Sequence, residues 1–333
     1  MKIAIADNNS RRFTDDLIKH WENKGHEIKE QHPDHSKHHE VKYEQGASEF
    51  LAQWADIYYI DTWDNNIHYL YKLYHGQHDA MPVGWDNNKK PMIVVRALDW
   101  EVWIGMARDQ KIIDWVDKVI VIAPHIKKEL EAHGDFKDKI KVIRPGVNLD
   151  KFTLKTRKTD GFQLGMAPGD MWKYKNHMGG LDIFTTLYRQ DPRWRLHVRG
   201  QHENSTYDPV NWDYYLESRG IKDVVTLYPH MDDMNEFYEN IDILLHPGQK
   251  EAFCYAVGEA MAKGIPVVVN DFYGSQDIWD RTTFYQTHEQ AVKMIKDFSG
   301  FEIGVTPNWK RSYIEKNYSL ERYLKETDEY LGL

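Results

Sequence analysis

The feature that most constrains the fold is a repeated grammar. Short apolar runs, each followed by a helix-spaced stretch, recur through both halves of the chain. In the first half, Lys2–Ala6 is a β-rich run, Phe13–Asn23 carries apolar residues at helical spacing, and Gly25 supplies a stop. His26–Glu30, Ala55–Ile60, Pro91–Arg96, Val116–Ile122 and Lys139–Ile143 read as further strands, with helices over Asn66–Tyr74 and His125–His133. The second half predicts strands at Phe162–Met166, Trp194–Arg199, Val224–Leu227, Ile241–His246 and Ile265–Asn270. Its predicted helices are His177–Tyr188, Met234–Asn240 and Ala252–Ala262. Strands alternating with helices imply a parallel, doubly wound sheet, and two such halves imply an α/β chain of two Rossmann-like domains. Asp150–Asp160 is polar and lacks an apolar pattern, so it is the expected junction between domains 1–155 and 156–333; an amphipathic helix over Ser319–Leu333 closes the second.

The 333 residues suffice for two domains, and 41% hydrophobic with 29% charged residues describes a globular chain. A net charge of −9 argues against non-specific nucleic-acid binding. One cysteine, Cys254, precludes an intramolecular disulfide and fits a reducing compartment, so a cytoplasmic location is expected. The start has too short an apolar run for a signal peptide, and no apolar stretch of about 18 residues predicts a membrane span. His26, His32, His35, His38 and His39 crowd one segment; a metal site is one reading, but Pro33, Ser36 and many charges favour a solvated loop.

The most specific segment is EAFCYAVGEAMA, residues 251–262, where Glu251 and Glu259 stand eight positions apart around a helix start. Free N–H groups and the positive end of the helix dipole make such a start a cradle for a pyrophosphate. Phe253, Cys254 and Tyr255 lie in that stretch and are candidate donor contacts. Glu251 is placed to accept hydrogen bonds from sugar hydroxyls, and Glu259 to accept a pair from ribose hydroxyls. The plain alternative is a surface helix with two solvated acids.

The segment resembles the E-x7-E motif of glycosyltransferase family 4, a retaining group with the GT-B fold. The similarity extends to NIDILLHP (240–247), DVVTLYPH (223–230), WRLHVRG (194–200), the connector IVIAPHIKKEL…KVIRPGVNLDKF, and the terminal YSLERYLKETDEYL. The resemblance implies two Rossmann-like domains facing a central cleft. It implies transfer of a sugar from a UDP- or GDP-sugar to an acceptor hydroxyl, with no metal or other cofactor. Lys175, in "KN", matches the family lysine at the diphosphate. The usual arginine is Met166 here, and Lys173 is the candidate substitute. Gly248 stands where serine or threonine is usual, and His230 where glycine is usual in the base-contacting loop. Asn9 replaces the glycine of the loop after the first strand.

Asp99 is the candidate to orient an acceptor or donor-sugar hydroxyl, with Leu98 where a histidine is common; a helix-capping aspartate is the alternative. Catalytic candidates are therefore Asp99, Lys175 and Glu251. Ser10, Arg11, Asp61, Arg96 and Trp100 are acceptor candidates, the acceptor being a glycan, a small molecule or a hydroxymethylated base in DNA. Two rival readings share the fold: a nucleotide-sugar 2-epimerase and an inactive nucleotide-sugar-binding protein.

Overall fold

The computed structural model describes residues 1–7, 14–32, 45–63, 65–78, 81–99, 102, 105, 108–169, 173–200, 211–229, 231, 233–299 and 307–333. The chain divides into two compact units, Met1–Arg144 with Leu324–Leu333, and Pro145–Tyr323. The second crossing falls inside the terminal helix, Leu320–Leu331, whose last turns count with the first unit.

The first unit is built on a six-stranded parallel sheet in the order β2-β1-β3-β4-β5-β6, comprising β1 (Lys2–Asp7), β2 (Glu27–Gln31), β3 (Ile57–Asp61), β4 (Met92–Ala97), β5 (Lys118–Val121) and β6 (Ile140–Val142). β3 is buried along its whole length, as a strand covered on both faces must be. The chain runs outward from β1 to β2, returns, and continues the other way from β3, so the strand order reverses between β1 and β3. At the carboxyl ends of three neighbouring strands, Asp7 pairs in register with Asp61, and Asp61 with Arg96.

The second unit repeats the plan in the order β12-β11-β10-β7-β8-β9. Its strands are β7 (Gln163–Gly169), β8 (Arg195–Gly200), β9 (Val225–Tyr228), β10 (Ile243–His246), β11 (Val267–Asn270) and β12 (Phe284–Tyr285). Here the order reverses between β7 and β10. Leu164, Met166, Leu196, Val198, Leu245 and Val268 from the sheet pack with Leu181, Phe184, Leu187 and Ile295 from the covering helices. Gly165 is required where β7 passes Ile241, because a Cβ there would lie 2.5 Å from its Cδ1. No helix among the described residues is long and apolar enough to cross a membrane.

Two buried charges shape stability. Asp328 accepts hydrogen bonds from Trp21 Nε1 (2.9 Å), His20 Nε2 (2.7 Å) and Lys24 Nζ (2.9 Å), which fastens the end of the chain to the helix Asp15–Asn23. Burial alone would raise its pKa, but the three donors outweigh it and hold the carboxyl below its ordinary value. Lys310, in the helix Pro307–Tyr318, is 2% exposed, and its Nζ has no hydrogen-bond partner among the described residues. Burial pushes its pKa down to about 7, against the weaker pull of Asp280.

Replacing Asp328 with alanine is expected to destabilise the protein by about 2–3 kcal/mol at neutral pH, the usual scale for hydrogen bonds to a buried charge. Because the folded pKa is depressed, the difference from wild type should shrink as pH falls through that pKa, as urea melts at several pH values would reveal. Lys310→Met should stabilise. An unfolded lysine keeps its proton until about pH 10.4, whereas folded Lys310 gives it up near 7. The advantage of the variant should therefore fall by about 2–3 kcal/mol between pH 7 and pH 9, at 1.36 kcal/mol per pH unit. A pH-independent advantage would contradict a buried amine that titrates.

Candidate active site

Ligands of doubly wound sheets bind outside the carboxyl ends of the strands where the order reverses. In the second unit this point lies between β7 and β10, and the segments that follow those strands hold most of the predicted donor residues. After β7, Lys173–Lys175 forms a short 3-10 turn. Asn176 then takes a left-handed conformation (φ 53°, ψ 45°) and caps the helix His177–Gln190 by accepting from the Gly179 amide at 3.3 Å. Gly179 is required by that cap, since a Cβ would lie 2.6 Å from the Asn176 side chain.

The two segments are tied by their backbones. The Gln249 amide donates to the Tyr174 carbonyl at 2.7 Å, and Asn176 Nδ2 donates to the Pro247 carbonyl at 3.2 Å. Asn270, at the end of β11, donates to the Gly248 carbonyl at 3.1 Å. Held this way, Lys175 Nζ meets Glu251 Oε1 at 2.5 Å, with side chains only 16% and 10% exposed. Burial works against the Lys175 ammonium, but the Glu251 carboxylate and its hydrogen bond win and raise its pKa above that of an ordinary lysine. Lys175 thus stays protonated at physiological pH, its charge balanced by Glu251.

The sequence predicts a helix from Ala252, whereas the helix is Tyr255–Ala262. It starts late because Cys254 adopts a left-handed conformation (φ 64°, ψ 82°), and no side chain caps the first turn. A non-glycine residue held there costs about 1–2 kcal/mol. Glu259, in that helix, accepts from the Tyr238 hydroxyl at 2.7 Å, which fixes its carboxylate. Tyr238 is fully buried, and burial together with the nearby Glu259 charge pushes its pKa far up, so it remains a donor. The Phe253 side chain turns into an aromatic cluster with Trp279 (4.9 Å), Tyr318 (5.1 Å) and Tyr255 (5.1 Å).

Sequence reasoning missed His246. The imidazole is 2% exposed, with Nε2 3.4 Å from Glu251 Oε1 and Nδ1 3.5 Å from Cys254 Sγ. Burial, reinforced by the Lys175 charge, pushes its pKa down to about 3, so the ring is neutral. Burial and the neighbouring Glu251 charge push the Cys254 thiol up, so it keeps its proton. His246 also accounts for Gly248. A Cβ on residue 248 would lie 2.7 Å from His246 Nε2, so the imidazole fills space that a serine or threonine would need. Met166, at the usual arginine position, is fully buried, and its Sδ would lie 2.4 Å from a Cβ on Gly180; it fills the core and brings no cation to the site.

In the first unit, Arg96 Nε and Asp61 Oδ1 form a 2.5 Å ion pair between β4 and β3, with side chains 1% and 0% exposed. Asp7 is equally buried and accepts from the Thr14 hydroxyl. Asp99 is half-buried just beyond β4. Asn9, Ser10, Arg11, Trp100 and His230 lie outside the described residues, as do the Lys173 side chain and the predicted histidine cluster at His35, His38 and His39.

Comparison with known proteins follows the same division. Residues 157–283 match the family of glycosyl transferases group 1. This stretch holds Lys175, Glu251 and Glu259. A D-inositol 3-phosphate glycosyltransferase from Paenarthrobacter aurescens is 26% identical over 177 residues, which cover 50% of this chain and 43% of the relative. The chain therefore matches less than half the length of that protein. Anabaena Alr3699/HepE, solved in complex with UDP and glucose, superposes with a TM-score of 0.75 at 14% identity, over 100% of this chain and 99% of that one. Sucrose-phosphate synthase from Thermosynechococcus elongatus superposes with a TM-score of 0.69 at 14% identity, over 99% and 98%. The fold is GT-B.

The fit between His246 and Gly248 generates a double-substitution experiment. Gly248→Ser alone should destabilise the protein by about 1–3 kcal/mol, the usual range for overpacking. His246→Ala combined with Gly248→Ser should recover most of that loss. Additive losses in thermal or urea melts would mean that the two positions do not share one space.

Proposed function

We propose that the protein is a retaining glycosyltransferase that moves a sugar from a nucleoside-diphosphate sugar to an acceptor hydroxyl. The observation that carries this reading is the Lys175–Glu251 ion pair, held beside an uncapped helix start at the strand-order reversal of the second unit. In this reading the donor diphosphate lies against the first turn of the helix Tyr255–Ala262, where amide dipoles and the Lys175 ammonium meet its negative charge. Lys173 supplies a second cation. Glu251, released in part from Lys175 when the diphosphate arrives, accepts hydrogen bonds from the sugar hydroxyls. Glu259, oriented by Tyr238, accepts from the ribose diol.

The chemistry then needs no side-chain nucleophile. As the bond between the anomeric carbon and the diphosphate breaks, positive charge develops on the sugar and negative charge on the leaving oxygen. That oxygen takes the proton of the acceptor hydroxyl on the same face of the sugar, and the new bond forms with retention. Fixed positive charge beside the leaving group lowers the barrier because it interacts more strongly with the transition state than with the bound donor. Turnover needs no divalent metal in this scheme. The Anabaena structure of the same fold was solved with UDP, which makes uridine diphosphate sugars the first donors to try.

A thermal-shift screen of UDP-, GDP- and ADP-sugars should pick out one nucleotide. Stabilisation at 100 times the dissociation constant is about 2.7 kcal/mol. With that donor, Lys175→Ala should lower kcat/KM by about 30- to 1000-fold, corresponding to about 2–4 kcal/mol of lost transition-state stabilisation. Glu259→Gln should act mainly through KM. Unchanged kcat/KM in Lys175→Ala, or a product of inverted anomeric configuration by NMR, would refute the scheme.

A further inference from the structure

The corner that holds the ion pair also sets Glu251 beside two side chains that sugar transfer leaves unused, His246 and Cys254. His246 closes β10, Cys254 precedes the helix Tyr255–Ala262, and Glu251 lies between them. We propose that His246, Glu251 and Cys254 bind one divalent cation of the zinc type, and that this cation and the donor diphosphate exclude each other. The exclusion rests on the donor site proposed above; the binding does not.

The donor set is an imidazole nitrogen, a thiolate and a carboxylate, the combination that zinc selects over hard cations such as magnesium or calcium. One ligand atom from each residue can be chosen so that all three lie within 4.8 Å of one another. The distance between His246 Nδ1 and Cys254 Sγ is 3.5 Å. Two ligands of a tetrahedral zinc, with Zn–S about 2.3 Å and Zn–N about 2.0–2.1 Å, stand about 3.6 Å apart. Little movement would therefore admit the ion between them.

The imidazole is also committed to this place. It is buried, its Nε2 has no hydrogen-bond partner among the described residues, and that nitrogen faces the Glu251 carboxylate at 3.4 Å. An ion held between Nδ1 and the sulfur draws the Glu251 carboxylate away from Nε2, so the carboxylate serves as the third ligand and not as the ring's hydrogen-bond partner. Two of the three residues adjoin a strand end and a helix start, which fixes their spacing.

Charge makes the proposal specific. At rest the Glu251 carboxylate is neutralised by the Lys175 ammonium. Binding a divalent cation expels the thiol proton to solvent and sets the ion against that ammonium, so thiolate and carboxylate balance the metal while Lys175 gives way. The occupied site covers the helix start and Glu251, and the diphosphate loses both.

The test uses the full chain and the metal alone. Zinc titrated by calorimetry in buffers of different ionisation enthalpy should show one tight site with about one proton released per ion. Cobalt(II) in its place should give a thiolate-to-metal charge-transfer band. Cys254→Gly suits the left-handed backbone and removes the sulfur; it should abolish the band and weaken zinc on the order of a hundredfold, as should His246→Ala. Lys175→Met should tighten zinc at least tenfold, which an adventitious histidine site elsewhere on the surface would not show. The nucleoside diphosphate picked out by the thermal-shift screen should compete with zinc beyond what its own chelation of the ion, titrated without protein, accounts for. Absence of the band, or tight binding that survives both Cys254→Gly and His246→Ala, would overturn the site. Binding with all these signatures but without competition from that diphosphate would overturn the exclusion and leave the metal site standing, whereas failed transfer assays alone would strike only the proposed function.

Discussion

The contact between Lys175 and Glu251 sets the terms for everything around it. Neither charge has enough water to stand alone, so each depends on the other, and removing either partner leaves a poorly solvated ion. The surrounding structure serves to keep the two segments together. Backbone and amide hydrogen bonds from Gln249, Asn176 and Asn270 clamp the segment after β7 to the segment after β10. The strand order makes such a meeting possible, because only where it reverses do two neighbouring parallel strands send their following segments apart and open a crevice.

Much of this was legible in the sequence, for identifiable reasons. Alternating apolar runs and helix-spaced stretches announced two doubly wound sheets, since parallel strands buried on both faces must be short and apolar. Glu251, Glu259 and Lys175 stood out through spacing and company. The true start of the helix at Tyr255 did not, because helix propensity over Ala252–Ala262 is good and only the backbone angles of Cys254 reveal the break. Tyr238 and His246 fall in sequence within a predicted helix and a predicted strand, and nothing local marks them as partners of the two glutamates. The trace that did exist was Gly248, whose missing side chain signalled that a neighbour had claimed its volume.

Met166 and Gly248 are departures from a family pattern, and they have different meanings once placed. Met166 belongs to the hydrophobic core beneath the helix His177–Gln190, so its change is one of packing. Gly248 belongs to a local fit, in which the ring of His246 occupies the space beside it and lies next to a carboxylate. Asp61 and Arg96 show a third case. Both are polar residues at a sheet edge where ligands bind, yet each has its charge satisfied by the other, out of reach of solvent.

The Asp328 clamp has a bearing on how the protein is made. Its carboxylate and the His20 ring it holds are 308 positions apart, and the whole second unit lies between them in sequence. On the ribosome, the sheet of the first unit emerges early but lacks the closing turns of helix until nearly all that follows has been synthesised. Through that interval the Trp21 indole lacks the carboxylate that accepts its hydrogen bond in the finished fold. The second unit, continuous in sequence, can finish folding before the first does, so the order of completion reverses the order of synthesis.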